Sequence, residues 1–315
     1  EFGGLYTSHI RDESNYTIGL VAAVNEVIEI AEANGMLGIV SHMKALGPDN
    51  WGLSVAATTR LDEARRRGVE VYADQYPYEA SSTGLSAALL PRWAQAGGSD
   101  RLRRRLADSE TRIRIVRAMR ENLRRRGGAE AIVVAFFRAD PQLEGKTLLE
   151  IAEERGRPPV ETALDLIARG RVSIISFNMS ERDIAHIMQQ PYTMTSSDGG
   201  LVPIGDGRPH PRNYGAFARK LARYVREREV VSLEFAVRSM TSLPAAVFGL
   251  QDRGVLRIGA WADIVIFDPV AIQDRATYTD PHQLAEGIDA VVVNGIVVRQ
   301  DGRFVDARPG QVLRK

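Results

Sequence analysis

Apolar residues recur with two different periods over the first part of the chain. A short apolar run at residues 4–8 precedes a segment, 16–34, whose apolar positions keep helical spacing, and a second short run follows at 38–40. Spacing by three and four predicts an amphipathic helix, and short runs with β-branched residues predict strands. The order strand, helix, strand predicts a βαβ unit with parallel strands.

The same pattern continues downstream, interrupted by an arginine-rich stretch. Residues 51–68 predict a helix that ends in three arginines and a glycine, where cations favour the C-terminal end of the helix dipole. Further helices are predicted at 99–128, 148–155, 160–168, 213–226 and 232–250. Further strands are predicted at 69–74, 131–137, 172–177 and 192–198.

The last part of the chain changes to short β-rich segments. Residues 264–267 and 290–298 are dominated by Val and Ile, and Asn294-Gly295 separates two apolar runs. Asn-Gly between such runs is a strong signal for a two-residue hairpin. Residues 251–315 therefore predict a small β lobe rather than more of the βα repeat.

Composition is that of an ordinary globular protein. The 315 residues are 44% hydrophobic and 26% charged, with a formal net charge of +1. No overall field favours nucleic acid or an acidic membrane surface. Cysteine is absent, which excludes disulfides and thiolate ligands within these residues and fits a cytoplasmic location. No apolar run reaches transmembrane length, and residues 1–4 lack a leader, so we expect the chain to open inside a domain.

The arginine-rich stretch at 99–128 has two interpretations. It could form a nucleic-acid patch, or it could be a solvated helical insertion with pairs such as Glu110 and Arg114 at i,i+4. Aromatic residues for base stacking are missing between Trp93 and Phe136. The sequence favours the helical insertion and no nucleic-acid partner.

Candidate chemistry lies where predicted strands end. His9 and His42 close two successive parallel strands, so both imidazoles are expected at the carboxyl-end face where α/β folds carry active sites. Asp198 ends another predicted strand, within a glycine-rich loop. His210 and Arg212 lie in a proline-rich loop that we expect to present both side chains to solvent or ligand, and arginine suits two-point binding of a carboxylate.

With these residues in view, the chain resembles the D-aminoacylase (N-acyl-D-amino-acid deacylase) family of the amidohydrolase superfamily. The resemblance covers nearly all the residues present. It rests on Ser8-His9-Ile10-Arg11, Ser41-His42-Met43-Lys44, Tyr76-Pro77-Tyr78 with Ser81-Ser82, Ser197-Asp198-Gly199, and residues 209–215, 240–245, 252–254, 262–269 and 293–295.

The resemblance implies an α/β fold: the C-terminal part of a (β/α)8 amidohydrolase barrel with a helical insertion, plus part of a small β-sandwich lobe. The barrel part would span residues 1–250, roughly strands five to eight, with the insertion at about 84–140, and the lobe 251–315.

The implied activity is zinc-dependent hydrolysis of the amide bond of small-molecule N-acyl-D-amino acids. His9 and His42 would bind the zinc, and Asp198 would be the catalytic carboxylate. Four further residues match family positions that hold the substrate carboxylate: Lys44, Tyr76, Ser82 and Arg212. His186 and His282 are expected outside this site.

The chain also departs from the family pattern. The family's first barrel strands carry a His-x-His motif, and a further ligand, often cysteine, comes from the same half; neither is present. We expect a partial barrel whose open sheet edges promote self-association and which lacks measurable activity alone.

Two other functions stay open. A cyclic-amide hydrolase of the dihydroorotase or hydantoinase type would share the metal chemistry, and a non-catalytic fragment would only bind a ligand or subunit. Arg212 and Lys44, as a grip for an open-chain carboxylate, favour the acylase. No pattern indicates which D-amino acid is preferred.

Overall fold

Four parallel strands form the sheet on which the candidate site is built. The computed structural model describes residues 3–313. Residues 1 and 2, part of the stretch where the chain is expected to open inside a domain, lie outside the described residues. The strands are β1 (Leu5–Ser8), β2 (Leu37–Val40), β3 (Val71–Gln75) and β7 (Thr193–Thr195), in the order β1-β2-β3-β7. Among the described strands, β1 pairs with β2 alone and β7 with β3 alone, so the sheet is open.

Helices α1 (Leu20–Asn34) and α2 (Leu53–Arg66) connect the first three strands and bury their apolar faces. Gly38 lets α1 approach β2 closely, because a Cβ there would lie 3.0 Å from the Ala31 Cβ. Gly35 ends α1 in the left-handed conformation with φ 57°. The predicted βαβ unit and α/β class are confirmed.

An insertion with its own sheet and core lies between β3 and β7. Its antiparallel sheet has the order β4-β6-β5, formed by β4 (Ala80–Gly84), β5 (Ile132–Phe136) and β6 (Ser173–Phe177). Its helices are α3 (Leu85–Leu89), α4 (Arg92–Gln95), α5 (Gly98–Ala107), α6 (Ser109–Arg125), α7 (Leu148–Glu154) and α8 (Pro159–Arg169). Residues of these elements share one apolar cluster.

The strand predicted at 172–177 belongs to the insertion and not to the parallel sheet. It is the central strand β6, and three of its five residues are buried, so its sequence looks like a barrel strand. The inserted unit therefore extends beyond the expected residues 84–140.

Arginines of α6 pair with acids and aromatic residues. Arg112 pairs with Glu161, Arg124 with Asp49 at 2.8 Å, and the Arg114 guanidinium lies 5.2 Å from the Trp93 ring centre. These contacts support the helical-insertion interpretation of the arginine-rich stretch.

The remaining helices lead to the small lobe. They are α9 (Glu181–Met188), α10 (Arg212–Arg219), a π-helical continuation (Lys220–Glu227), α11 (Leu233–Met240) and α12 (Ser242–Phe248). The single helix predicted at 232–250 is divided at Thr241, whose φ of −129° and ψ of −86° are not helical.

The lobe is one antiparallel sheet in the order β11-β10-β9-β8. Its strands are β8 (Ile264–Phe267), β9 (Ile288–Val293), β10 (Ile296–Gln300) and β11 (Arg303–Phe304). Asn294 and Gly295 have φ of 49° and 80° between β9 and β10, which confirms the predicted hairpin. None of the helices in residues 3–313 has the length and apolar character needed to cross a membrane.

Lys220 carries a buried amine, and its protonation makes the stability of the fold depend on pH. It is 2% exposed, and its Nζ donates to Thr195 Oγ1 and Ser239 Oγ, both at 2.8 Å. Burial lowers its pKa to about 7. Between pH 7 and about 10.5 the unfolded state binds the extra proton, so this group makes stability rise with pH across that window.

Replacing Lys220 by Met should remove that dependence. We expect Lys220→Met to be more stable than the wild type by about 3–5 kcal/mol at pH 6, with the difference shrinking toward pH 10. The two hydroxyls still bond to each other, at 3.0 Å. Urea unfolding at several pH values measures this, with Lys146→Met, at a half-buried position whose amine pairs with Glu154, as control. A stability difference that does not change with pH would contradict the prediction.

Candidate functional site

The candidate site lies at the carboxyl ends of the parallel strands. His9 follows β1, His42 follows β2, and Asp198 follows β7. His42 and Asp198 have positive φ values of 38° and 49°, which are uncommon for residues with a side chain. Such backbone conformations often occur at functional sites, where the surrounding structure holds them in place.

His9 and His42 face each other across β1 and β2. His9 Nδ1 lies 2.9 Å from His42 Nε2, and the ring centres are 4.7 Å apart. Glu13 completes the cluster, with Oε1 at 2.9 Å from His42 Nδ1 and 3.7 Å from His9 Nδ1. One ligand atom from each of these three residues lies within 4.8 Å of the others. The expected proximity of the two histidines is confirmed.

Glu13 was missed by sequence reasoning. The available signal was the spacing His9-Ile-Arg-Asp-Glu13, in which a carboxylate follows the strand-end histidine by four residues. The loop after β1 is not helical, so the spacing alone did not predict the contact.

Lys44 is buried beneath this cluster and pairs with Glu13. Its Nζ lies 2.5 Å from Glu13 Oε1 and 2.6 Å from His42 Nδ1. Burial would raise the pKa of Glu13, but the Lys44 charge and the His42 hydrogen bond override it and hold the pKa at about 2. Burial also lowers the pKa of Lys44, and the facing carboxylate limits that shift. Glu13 is therefore ionised where it faces the imidazoles.

Asp12 holds the loop that carries Glu13. It is 3% exposed and accepts hydrogen bonds from the backbone N–H groups of Ser14, Thr17 and Gly19. Burial alone would raise the pKa of Asp12, but these donors lower it overall. The loop between β1 and α1 is thus fixed by one carboxylate.

Asp74 connects two of the strand ends. Its Oδ1 accepts from the His42 backbone N–H at 2.9 Å and from Ser196 Oγ at 2.6 Å. Because Ser196 lies two residues before Asp198, this carboxylate links the His42 turn to the loop that carries Asp198. Sequence reasoning placed Asp74 in a strand and did not assign it this role.

Arg212, Tyr76 and Asp198 form the second part of the site. Arg212 is the first residue of α10 and 7% exposed; its Nη1 lies 2.8 Å from Asp198 Oδ2, and its guanidinium lies 4.6 Å from the Tyr76 ring centre. Arg212 Nε and the Tyr76 hydroxyl are buried without a hydrogen-bond partner among the described residues. Burial raises the pKa of Tyr76, so its hydroxyl stays protonated and able to donate. Both groups thus keep a hydrogen-bond donor that no described residue uses.

Two further residues that the sequence singled out are Ser82 and His210. Ser82 lies on β4 and makes no side-chain hydrogen bond to the other predicted site residues in the described part of the chain. The expectation that His210 is presented to solvent or ligand is wrong: it is 2% exposed and packs between Tyr78 and Tyr278. The polar, proline-rich loop gave no sign that these rings cover it.

Two histidines lie outside the cluster, as predicted. His186 Nε2 is 2.8 Å from Thr58 Oγ1, and His282 contacts the Tyr214 hydroxyl and the Gly207 carbonyl.

Comparison with known proteins agrees with the resemblance seen in the sequence. The model of a family described as the amidohydrolase family matches residues 19–299. Two proteins of Alcaligenes xylosoxydans xylosoxydans match 99% of this chain: N-acyl-D-glutamate deacylase, 39% identical over 55% of its length, and D-aminoacylase, 35% identical over 55%. The resemblance indicated by the sequence is confirmed.

A solved structure is similar over the same extent. The crystal structure of N-acyl-D-glutamate deacylase from Bordetella bronchiseptica, complexed with zinc and a phosphonate mimic of the tetrahedral intermediate, has a TM-score of 0.79 and 39% identity. The match covers 99% of this chain and 56% of that one. The chain thus spans about half the length of the relatives it matches.

Removing Asp12 should test whether its hydrogen bonds stabilise the loop. Asp12→Ala leaves three backbone donors without their acceptor, and we expect a loss of about 2–4 kcal/mol in the free energy of unfolding. Urea denaturation measures it. Glu29→Ala, at an exposed position of α1, should change stability by less than about 0.5 kcal/mol. Equal losses in the two variants would contradict the prediction.

Proposed function

This chain belongs to the amidohydrolase family, and from that premise we propose that the protein hydrolyses the amide bond of N-acyl-D-amino acids with the aid of zinc. One observation carries the proposal. The cluster of His9, Glu13 and His42 lies at the strand ends, beside a buried arginine whose Nε has no hydrogen-bond partner among the described residues. Similarity to D-amino-acid deacylases over 99% of the chain supports the substrate class.

The donor set fits zinc. Two imidazoles and a carboxylate are ordinary zinc ligands, and the 2.9 Å between His9 Nδ1 and His42 Nε2 allows small ring rotations to direct both atoms at one ion. We propose His9 and His42 as the ligands, with Glu13 beside them. Zinc there would lower the pKa of a bound water to about 7 and polarise the scissile carbonyl.

Asp198 is proposed as the general base and acid. Its side chain is 38% exposed and follows β7 at the same end of the sheet as the histidines. A carboxylate there can accept a proton from the attacking water and return it to the leaving amine. Its ion pair with Arg212 keeps the carboxylate oriented.

Arg212 and Tyr76 are proposed to bind the substrate carboxylate. The buried Arg212 Nε and Tyr76 hydroxyl are donors without partners within residues 3–313, and a bound carboxylate would satisfy both. Lys44 and Ser82 remain in the proposal as further donors. Lys44 already pairs with Glu13, so its larger effect should be on the histidine cluster.

The other expectations stay predictions. We propose residues 1–250 and 251–315 as two units, a cytoplasmic location, and self-association through the edges of β1 and β7. Those edges have no second strand among the described residues, and unpaired strands readily pair with another chain. Light scattering at several protein concentrations would test self-association.

Zinc binding can be tested without turnover. We expect His9→Ala and His42→Ala to lower the zinc bound after equilibrium dialysis by at least tenfold, because each removes a ligand. Elemental analysis measures the bound metal. His186→Ala is the matched control and should bind as the wild type does. Unchanged zinc in both site variants would contradict the assignment.

The assignment of Arg212 to the substrate carboxylate can be tested with substrates that carry or lack that charge. In the full-length enzyme, Arg212→Ala should lower kcat/KM for N-acyl-D-amino acids by a factor that corresponds to about 2–4 kcal/mol of transition-state stabilisation, the cost of losing charge-assisted hydrogen bonds in a buried site. The corresponding amides, which lack the carboxylate, should lose much less. Equal losses on acids and amides would remove the assignment to the carboxylate. A preference for hydantoins or dihydroorotate over the open-chain substrates would instead favour a cyclic-amide hydrolase.

A further inference from the structure

His210 is a buried histidine in the loop before α10. Its ring packs edge-on against Tyr78 at 5.0 Å and Tyr278 at 5.3 Å between ring centres. Burial, and then the nearby charge of Arg212, lower its pKa to about 3, while the Ala80 carbonyl opposes the shift only in part. The imidazole is therefore neutral at physiological pH.

Both ring nitrogens of His210 are used, and their partners fix the tautomer. His210 Nε2 lies 2.9 Å from the Ala80 carbonyl oxygen, which can only accept, so Nε2 carries the proton. His210 Nδ1 lies 3.0 Å from the Arg212 backbone nitrogen, which can only donate, so Nδ1 accepts. A second proton on Nδ1 would face that N–H group directly. The two contacts thus exclude a role for His210 in exchanging protons.

These hydrogen bonds join two separate elements of the site. Ala80 begins β4, in the segment that directly follows Tyr76 and Tyr78, and Arg212 begins α10. His210 thereby ties the start of α10 to the insertion sheet. The Arg212 guanidinium then lies between Asp198 at 2.8 Å and the Tyr76 ring at 4.6 Å.

We propose that His210 is a neutral positioning residue that holds Arg212 against Tyr76 and so sets the affinity for a substrate carboxylate. The inference rests on the proposed function, because it assigns Arg212 and Tyr76 to that carboxylate. His210 itself does not touch the substrate. Its contribution is the geometry of the arginine.

Three substitutions at His210 remove its two hydrogen bonds one at a time or together. His210→Asn places an amide oxygen near the Nδ1 position and keeps an acceptor for the Arg212 N–H, but it does not reach Ala80. His210→Gln places an amide NH₂ near the Nε2 position and keeps the donor to Ala80. His210→Ala removes both, and His186→Asn is the control histidine in α9.

The zinc-loaded full-length enzyme that contains this chain is titrated with N-acetyl-D-glutamate and also assayed with it. We expect His210→Ala to raise Kd and KM at least tenfold while kcat changes less than threefold. His210→Asn should restore most of the affinity, His210→Gln less, and the control should match the wild type. Equal affinity in the wild type and His210→Ala overturns the inference, as does a loss confined to kcat.

A second measurement does not depend on activity. Nitrogen-15 NMR of the histidine side chains should show His210 protonated at Nε2 alone from pH 5.5 to 8.5, and a titration in that range would overturn the inference. If His210→Ala fails to fold, His210→Asn and the NMR result still decide it. Wild-type binding of N-acetyl-D-glutamate without turnover would count against the proposed function and leave the His210 test intact; absence of binding would overturn both.

Discussion

The buried ion pair between Lys44 and Glu13 is the interaction on which the candidate site depends. Both side chains are largely shielded from solvent, and removing either would leave the other as an unpaired charge in a low-dielectric environment. The pair keeps Glu13 ionised, and an ionised Glu13 gives the two imidazoles a negative neighbour. A cation between His9 and His42 would be stabilised by that charge. Asp12 holds the loop that makes the pairing possible.

The fold brings these groups together through a few tight backbone requirements. Gly38 allows α1 to lie close to β2, and the parallel pairing of β1 with β2 places Ser8 opposite Val40 at their carboxyl ends. His42 and Asp198 then turn in left-handed conformations. Asp74 connects the two turns through His42 N–H and Ser196 Oγ. The ends of β2, β3 and β7 are therefore connected by hydrogen bonds through Asp74. A substitution of Asp74 would affect both the His42 turn and the loop that carries Asp198.

Local patterns predicted much of this fold, while the contacts that define the site depend on distant residues. The βαβ unit and the Asn294-Gly295 hairpin follow from periodicity and turn chemistry, which are properties of neighbouring residues. The strand predicted at 172–177 carried no signal that it belongs to the antiparallel insertion sheet, because a buried central strand has the same apolar pattern in either sheet. Glu13 and the burial of His210 were missed because their partners, Lys44 and Tyr278, are far away in the sequence.

The insertion takes part in the site through neutral groups, and electrostatics explains why. Arg212 is buried and pairs with the carboxylate of Asp198, which the proposed chemistry also uses. A charged imidazole at His210 would repel that guanidinium in a low-dielectric environment, and a second carboxylate would compete with an anionic substrate. A neutral imidazole between Ala80 and the Arg212 N–H avoids both effects. The arrangement fixes the Arg212 backbone and places no second charged group at that side of its guanidinium.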